Sequence, residues 1–178
     1  LNEEKFLPKL LDSLSRQTNK DFEAVVVDGA SRDKTVQAAH QFMRKIPRLT
    51  VDIVKKPGLP VQRNRGAAIS RGEWLVFADA DTVFLPYFID RISAFIRDGK
   101  SQLFTTWFRS DSEDPKDAVY TLFANVYIEA TLLFKKQQTF GPLTIVHRQA
   151  FDLVNGYDEA HAFHEDVDFG QRLHRAGV

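Results

Sequence analysis

At 178 residues, 43% of them hydrophobic and 27% charged, the chain has the length of one domain and enough apolar material for a real core. Lys+Arg and Asp+Glu are equal at 24 each, which excludes a global basic field that would gather nucleic acid, so any phosphate must be held locally. With no cysteine there are no disulfides, thiolate metal sites or cysteine nucleophiles, and no run reaches the roughly 18 apolar residues of a membrane span or reads as a signal peptide.

The chain opens at Leu1 without a methionine and stops at Gly177-Val178 just past a helix, as expected of a segment cut from a longer protein. After a polar lead-in, Phe6, Leu7, Leu10, Leu11 and Leu14 repeat at helical spacing and predict a helix to about residue 17, with Pro8 in its first turn. Residues 22–27 are a short β-rich apolar run, broken by the turn formers of 28–33. Asp33 or Ser31 can cap the next helix, through about residue 43. Residues 51–54 predict a strand and 63–70 a helix, which Gly72 is placed to close in the left-handed conformation. The run Trp74-Leu75-Val76-Phe77-Ala78 reads as a strand buried on both faces, and a helix over about 87–98 ends at Gly99. This alternation implies parallel strands joined by right-handed crossovers, with a strand before Leu1 completing the first unit.

The second half differs. Residues 102–108 predict a strand, 109–114 a polar loop, and Asp114-Pro115 starts a helix that could continue to Lys135. Its side bearing Val119, Leu122, Phe123, Val126 and Tyr127 is expected to be core, the alternative being a membrane-surface or lipid-acceptor role. Gly141-Pro142 turns the chain into a strand at 143–147, a short helix at 148–154 ends near Gly156, and a final helix runs from Glu165 to Ala176. His147 and Arg148 are expected to be an ordinary strand-end pair, with phosphate or acceptor contact as the alternative.

The chain is organised around Asp79-Ala80-Asp81, which follows the apolar strand. Carboxylates there lie at the carboxyl edge of the sheet, where open α/β folds hold ligands, and both can face one divalent cation or one phosphate-bearing ligand. Asp28 follows an earlier strand and reaches the same edge. Glu165 and Asp166 open a helix, whose positive end favours carboxylates; for these two, plain helix chemistry is the competing explanation.

Five stretches in register carry a resemblance: Asn2-Glu3-Glu4, the run from Val26 through Asp28-Gly29-Ala30-Ser31 to Thr35, Arg63-Asn64-Arg65-Gly66, Ala78-Asp79-Ala80-Asp81-Thr82, and Gly156-Tyr157-Asp158-Glu159 before Glu165-Asp166. In that order they closely resemble the family 2 glycosyltransferases. The resemblance implies a single α/β domain of GT-A fold, a mostly parallel central sheet flanked by helices, with residues 1–99 as the nucleotide-sugar-binding half and 100–178 as the acceptor half. It implies inverting transfer from a nucleotide sugar, most often a UDP-sugar, to a glycan, lipid or polyprenyl-phosphate acceptor. It further implies Mn²⁺ or Mg²⁺ as cofactor and a cytoplasmic site of action, extending to the inner face of the membrane if residues outside this segment attach there.

Carried over position by position, Asp28 resembles the carboxylate that receives the base, with Asn2, Glu3 and Arg63 beside the nucleotide. Asp79 resembles the ribose or diphosphate partner and Asp81 the metal ligand. Asp166 corresponds to the general base, and Glu165 to a residue that orients acceptor or base. The chemistry is coherent, because an acceptor hydroxyl needs a base and a departing nucleoside diphosphate needs its charge met. The chain departs from the pattern at Gly29, where relatives often have a second Asp, and at Ala30, a frequent glycine. Two rivals remain: a haloacid dehalogenase-like phosphatase with Asp79 as nucleophile, and a non-catalytic nucleotide-sugar-binding module.

Overall fold

The computed structural model describes residues 1–99, 101–133, 143–160 and 164–178. The amino-terminal part alternates helix and strand as expected. Helix α1 (Leu7–Ser15) buries Leu7, Leu10 and Leu11 along one stripe, with Pro8 in its first turn, where its missing N–H has no intrahelical role. Strands β1 (Ala24–Asp28) and β2 (Leu49–Ile53) pair in parallel, Ala24 opposite Leu49, through the crossover helix α2 (Thr35–Gln41). Leu7, Leu10, Leu11, Ala24, Ala39, Ile46 and Leu49 close over this unit as one apolar cluster.

Helix α3 (Leu59–Ile69) begins earlier than the expected Arg63, because Pro60 is tolerated in its first turn. Gly72 does not close it. The chain leaves the helix through extended Ser70, and Gly72 has no positive φ. Arg148 takes over the helix end, donating to Ala67 O at 2.9 Å, Gly72 O at 2.8 Å and Ser70 Oγ at 2.9 Å. Its role here is to tie the last turn of α3 to the next sheet.

That sheet has the order β3-β5-β4, formed by β3 (Trp74–Ala78), β4 (Leu103–Phe104) and β5 (Leu143–His147). β3 and β4 each pair antiparallel with β5, so they run in one direction and β5 is the reversed strand between them. The expectation that β3 is buried on both faces is corrected: Leu75 is 4% exposed, but its neighbour Val76 is 38% exposed. The strand covered on both faces is β5, where Leu143 through Val146 are all buried. One face of this sheet packs Leu75 and Val146 against Ala150, Phe151, Tyr157, Phe169 and Leu173, supplied by α6 (Arg148–Leu153), the following loop and α7 (Glu165–Arg175). The other packs Leu143 and Ile145 against Ile89 and Ile92 of α4 (Phe88–Arg97).

Helix α5 (Pro115–Leu133) is rotated relative to expectation. Val119, Leu122, Phe123, Val126 and Tyr127, expected in the core, are all exposed, and among the described side chains of the helix the buried ones are Thr121 and Asn125. The cause is a polar latch. Asn125 donates to Phe108 O at 2.7 Å and accepts from Phe108 N at 3.2 Å, satisfying an unpaired stretch of backbone and fixing which side of the helix faces inward. β4 is shorter than expected: beyond Phe104 the Thr105 hydroxyl donates to Leu143 O at 2.7 Å, and the Phe108 backbone pairs with the Asn125 side chain. The expected turn at Gly141-Pro142 and the helix end at Lys135 lie outside the described residues. Among the described residues no helix is long and apolar enough to cross a membrane.

Candidate active site

β3 ends at Ala78, so Asp79 and Asp81 stand in the turn beyond the strand, closed by Thr82 N donating to Asp79 O at 3.1 Å. α7 begins after His164, whose left-handed backbone (φ 62°) turns the chain so that Glu165 and Asp166 occupy the first helical turn. Between these two places stands Arg63 of α3, largely buried. Its Nη1 lies 2.5 Å from Asp166 Oδ1 and 3.4 Å from Glu165 Oε1, and its Nη2 lies 3.4 Å from Asp79 Oδ1. Three acids from distant parts of the sequence therefore meet on one guanidinium. The guanidinium itself lies over the ring of Tyr157, 5.0 Å from the centroid.

The motif residues next to Arg63 explain how this is held. Asn64 donates to Tyr157 O at 2.9 Å and accepts from Tyr157 N at 2.9 Å, pairing with the loop backbone as a strand would. Gly156 makes that approach sterically feasible. It sits at φ +69°, and a Cβ there would lie 2.6 Å from Asn64 Oδ1 and 2.8 Å from Phe151 Cζ. The pair thus sets the position of Tyr157, and the Tyr157 ring supports Arg63. Neither Asn64 nor Tyr157 was singled out from the sequence, although both lie inside the motif stretches that Arg63 and Asp166 came from.

Electrostatics follow from this crowding. Burial pushes the Asp166 carboxyl above the ordinary carboxylate range; Arg63 pulls it down, while Glu165 and Asp79 add to the rise. Asp79 is raised for the same leading reason, with Asp81 and Glu165 adding to it against Arg63. Burial disfavours the charged Arg63, but Tyr157, Asp166, Asp79 and Glu165 outweigh that and hold it more firmly protonated. The Tyr157 phenol, buried, is pushed upward.

Asp81 is exposed and makes no hydrogen bond or ion pair among the described residues. No group of three side chains able to hold a metal is gathered among the described residues. A single exposed carboxylate at a strand end fits a hard cation only when a diphosphate completes the shell.

The remaining expected residues form a second group, apart from the Arg63 cluster. Asp28 is 4% exposed, its Oδ2 accepting from Ser31 N at 2.7 Å and its Oδ1 from Ser31 Oγ at 2.5 Å. Asn2 donates from its backbone to Ser31 Oγ and accepts from Arg32 N, and Glu3 N donates to Thr35 Oγ1. These residues latch the lead-in to the loop after β1. α3 joins the two groups, since Gln62, next to Arg63, donates to Val27 O at 2.6 Å.

Residues 1–153 match the family model described as glycosyl transferase family 2. A PGL/p-HBAD biosynthesis glycosyltransferase of Mycobacterium tuberculosis is 39% identical over 98 residues, 54% of this chain and 38% of that protein. EpsJ of Bacillus subtilis, described as an uncharacterized glycosyltransferase, is 24% identical over 150 residues, 84% of this chain and 42% of its own length. The chain thus spans less than half the length of these curated relatives. S. aureus TarS 1–349 in complex with UDP superposes with a TM-score of 0.76 at 22% identity, over 97% of this chain and 52% of that one. The mannosyltransferase PcManGT from Pyrobaculum calidifontis, in complex with GDP-Man and Mn²⁺, gives 0.70 at 21% identity, over 97% and 49%. At these identities the solved structures show a shared fold.

Proposed function

This chain belongs to glycosyl transferase family 2, and from that premise we propose that it moves a sugar, with inversion, from a UDP-sugar to a hydroxyl or phosphate on a glycan, lipid or polyprenyl-phosphate acceptor. The observation that carries the reading is the convergence of Asp79, Glu165 and Asp166 on Arg63, which joins the sheet edge of a donor site to the helix start of an acceptor site. The UDP and GDP-Man held by the two solved neighbours support a nucleoside diphosphate as donor. The exposed apolar face of α5 favours an acceptor with an apolar portion.

In this reading residues 1–99 bind the donor and 100–178 the acceptor. Asp166 takes the proton from the acceptor hydroxyl as its oxygen bonds to the anomeric carbon and the bond from that carbon to the diphosphate breaks. A base on the face opposite the leaving group gives inversion. The raised affinity of Asp166 for protons makes it a stronger base than a solvated aspartate, and Arg63 fixes its orientation from Nη1. Glu165 orients acceptor or base. Asp81, with the donor's diphosphate, would hold Mn²⁺ or Mg²⁺, which when bound neutralises charge on the departing nucleoside diphosphate.

The test is Asp166→Asn, assayed for donor binding and for transfer. Binding stays within about twofold of wild type while transfer drops roughly a hundredfold or more. The acid limb of the wild-type pH profile lies above the ordinary carboxylate value, because activity requires Asp166 to lose its proton. Near-normal transfer by Asp166→Asn removes it from the mechanism, and a wild type that binds UDP but consumes no donor with any acceptor leaves only the binding module.

A further inference from the structure

Resting on the donor-site reading above, we propose that Gln62 reads the nucleobase, accepting the ring N–H of uracil at its side-chain oxygen. Asp28 is poorly placed to do so, because both its oxygens are turned into its own loop by Ser31 and it is almost wholly buried. The next residue, Gly29, has no side chain to offer. Gln62 reaches across from α3 into that space: its Oε1 lies 3.0 Å, and its Cδ 3.2 Å, from where a Cβ on Gly29 would stand.

The amide's orientation is fixed by chemistry. Nε2 donates to Val27 O at 2.6 Å, and a carbonyl can only accept, so the end facing it is the NH₂ and the other end is the oxygen. That oxygen accepts no hydrogen bond among the described residues, and Gln62 is only half-buried, so a ligand can reach it. A held acceptor with no donor of its own selects a base that presents an N–H at the matching ring atom, as uracil does. Cytosine presents a lone pair there and is rejected. Arg63, the next residue on α3, reaches the acids at the diphosphate end, so consecutive side chains of one helix serve the two ends of the nucleotide.

Calorimetric binding of UDP, CDP and N3-methyl-UDP, each with Mn²⁺, to the wild-type chain, Gln62→Ala and Gly29→Ala tests the assignment. Gly29→Ala leaves Gln62 in place chemically but obliges its amide to shift, since the new Cβ crowds Oε1. Wild type binds UDP about tenfold tighter than CDP or N3-methyl-UDP, and in both variants the three ligands come within about twofold of one another. If Gln62→Ala keeps the full preference, or weakens UDP and N3-methyl-UDP by the same factor, Gln62 does not read the base while the donor site stands. If the wild type binds none of the three, the donor reading falls and the assignment of Gln62 with it.

Discussion

Replacing Arg63 with methionine keeps most of the side chain's bulk and removes the charge that holds the acidic cluster together. The arginine side chain is 12% exposed and touches Glu165 and Asp166, which are 11% and 20% exposed, as well as the more open Asp79 at 42%. Removing one partner of a buried ion pair costs about 3–5 kcal/mol. Solvent carries part of the share of Asp79, and the acids can answer by taking up protons, so roughly 2–3 kcal/mol is expected near neutral pH. In a domain of this size that lowers the melting temperature by roughly 5–10 °C. The sign of the pH dependence is fixed as well. Burial raises Asp166 and Asp79 in the folded protein and Arg63 opposes the rise, so its loss raises them further. A folded-state value above the unfolded one means that folding takes up protons, so stability falls as pH rises between the two. The deficit of Arg63→Met is therefore largest above neutrality and shrinks as pH drops through the raised folded-state values. Thermal unfolding of both proteins at about pH 8 and about pH 5 measures it. An equal deficit at both pH values, or none at either, refutes the claim that Arg63 serves as the counter-ion of this cluster.

Asp81→Asn removes the one cluster-side acid that makes no ion pair among the described residues, so UDP affinity measured with and without Mn²⁺ loses its metal dependence while the melting temperature stays within about 2 °C of wild type. Gly156→Ala places a methyl group on a left-handed backbone, 2.6 Å from Asn64 Oδ1 and 2.8 Å from the Phe151 ring, and is expected to cost about 2–4 kcal/mol in denaturant unfolding. Because Asn64 sets the position of Tyr157 under Arg63, the same variant weakens transfer more than UDP binding.

The element order of the first half was legible because local signals agreed there: apolar spacing, turn residues and helix starts all pointed the same way. Asp79, Asp81, Glu165 and Asp166 were legible as candidates because carboxylates at a strand end and a helix start are visible in one dimension. Three things were hidden because they depend on contacts between distant segments. The double burial expected of β3 belongs to β5, since only the folded chain shows which strand takes the middle place. The facing of α5 is hidden because two hydrogen bonds between Asn125 and the Phe108 backbone, one in each direction, set its rotation against an apolar pattern that runs over much of the helix surface. And Asp28, which reads as a ligand contact, is folded into its own turn by Ser31, while Gln62, unremarkable in sequence, occupies the space beside Gly29.

The charges at the sheet edge also constrain how a donor can bind. Asp79, Glu165 and Asp166 meet on one guanidinium and Asp81 stands beside Asp79, so four carboxylates share this edge with the single charge of Arg63. A nucleoside diphosphate brings further negative charge to the same edge, so bare donor meets repulsion there. Asp79 is already paired with Arg63, whereas Asp81 is exposed and makes no ion pair among the described residues, which in the proposed donor site leaves it to engage an incoming cation. On the proposed reading, cation and donor are therefore best bound as a pair, and UDP affinity rises with Mn²⁺ far more steeply in this chain than in a variant whose acids have been neutralised. The same excess of charge explains why an arginine occupies position 63. Its guanidinium spans acids on two sides at once through separate nitrogens, which the single ammonium of a lysine could not do.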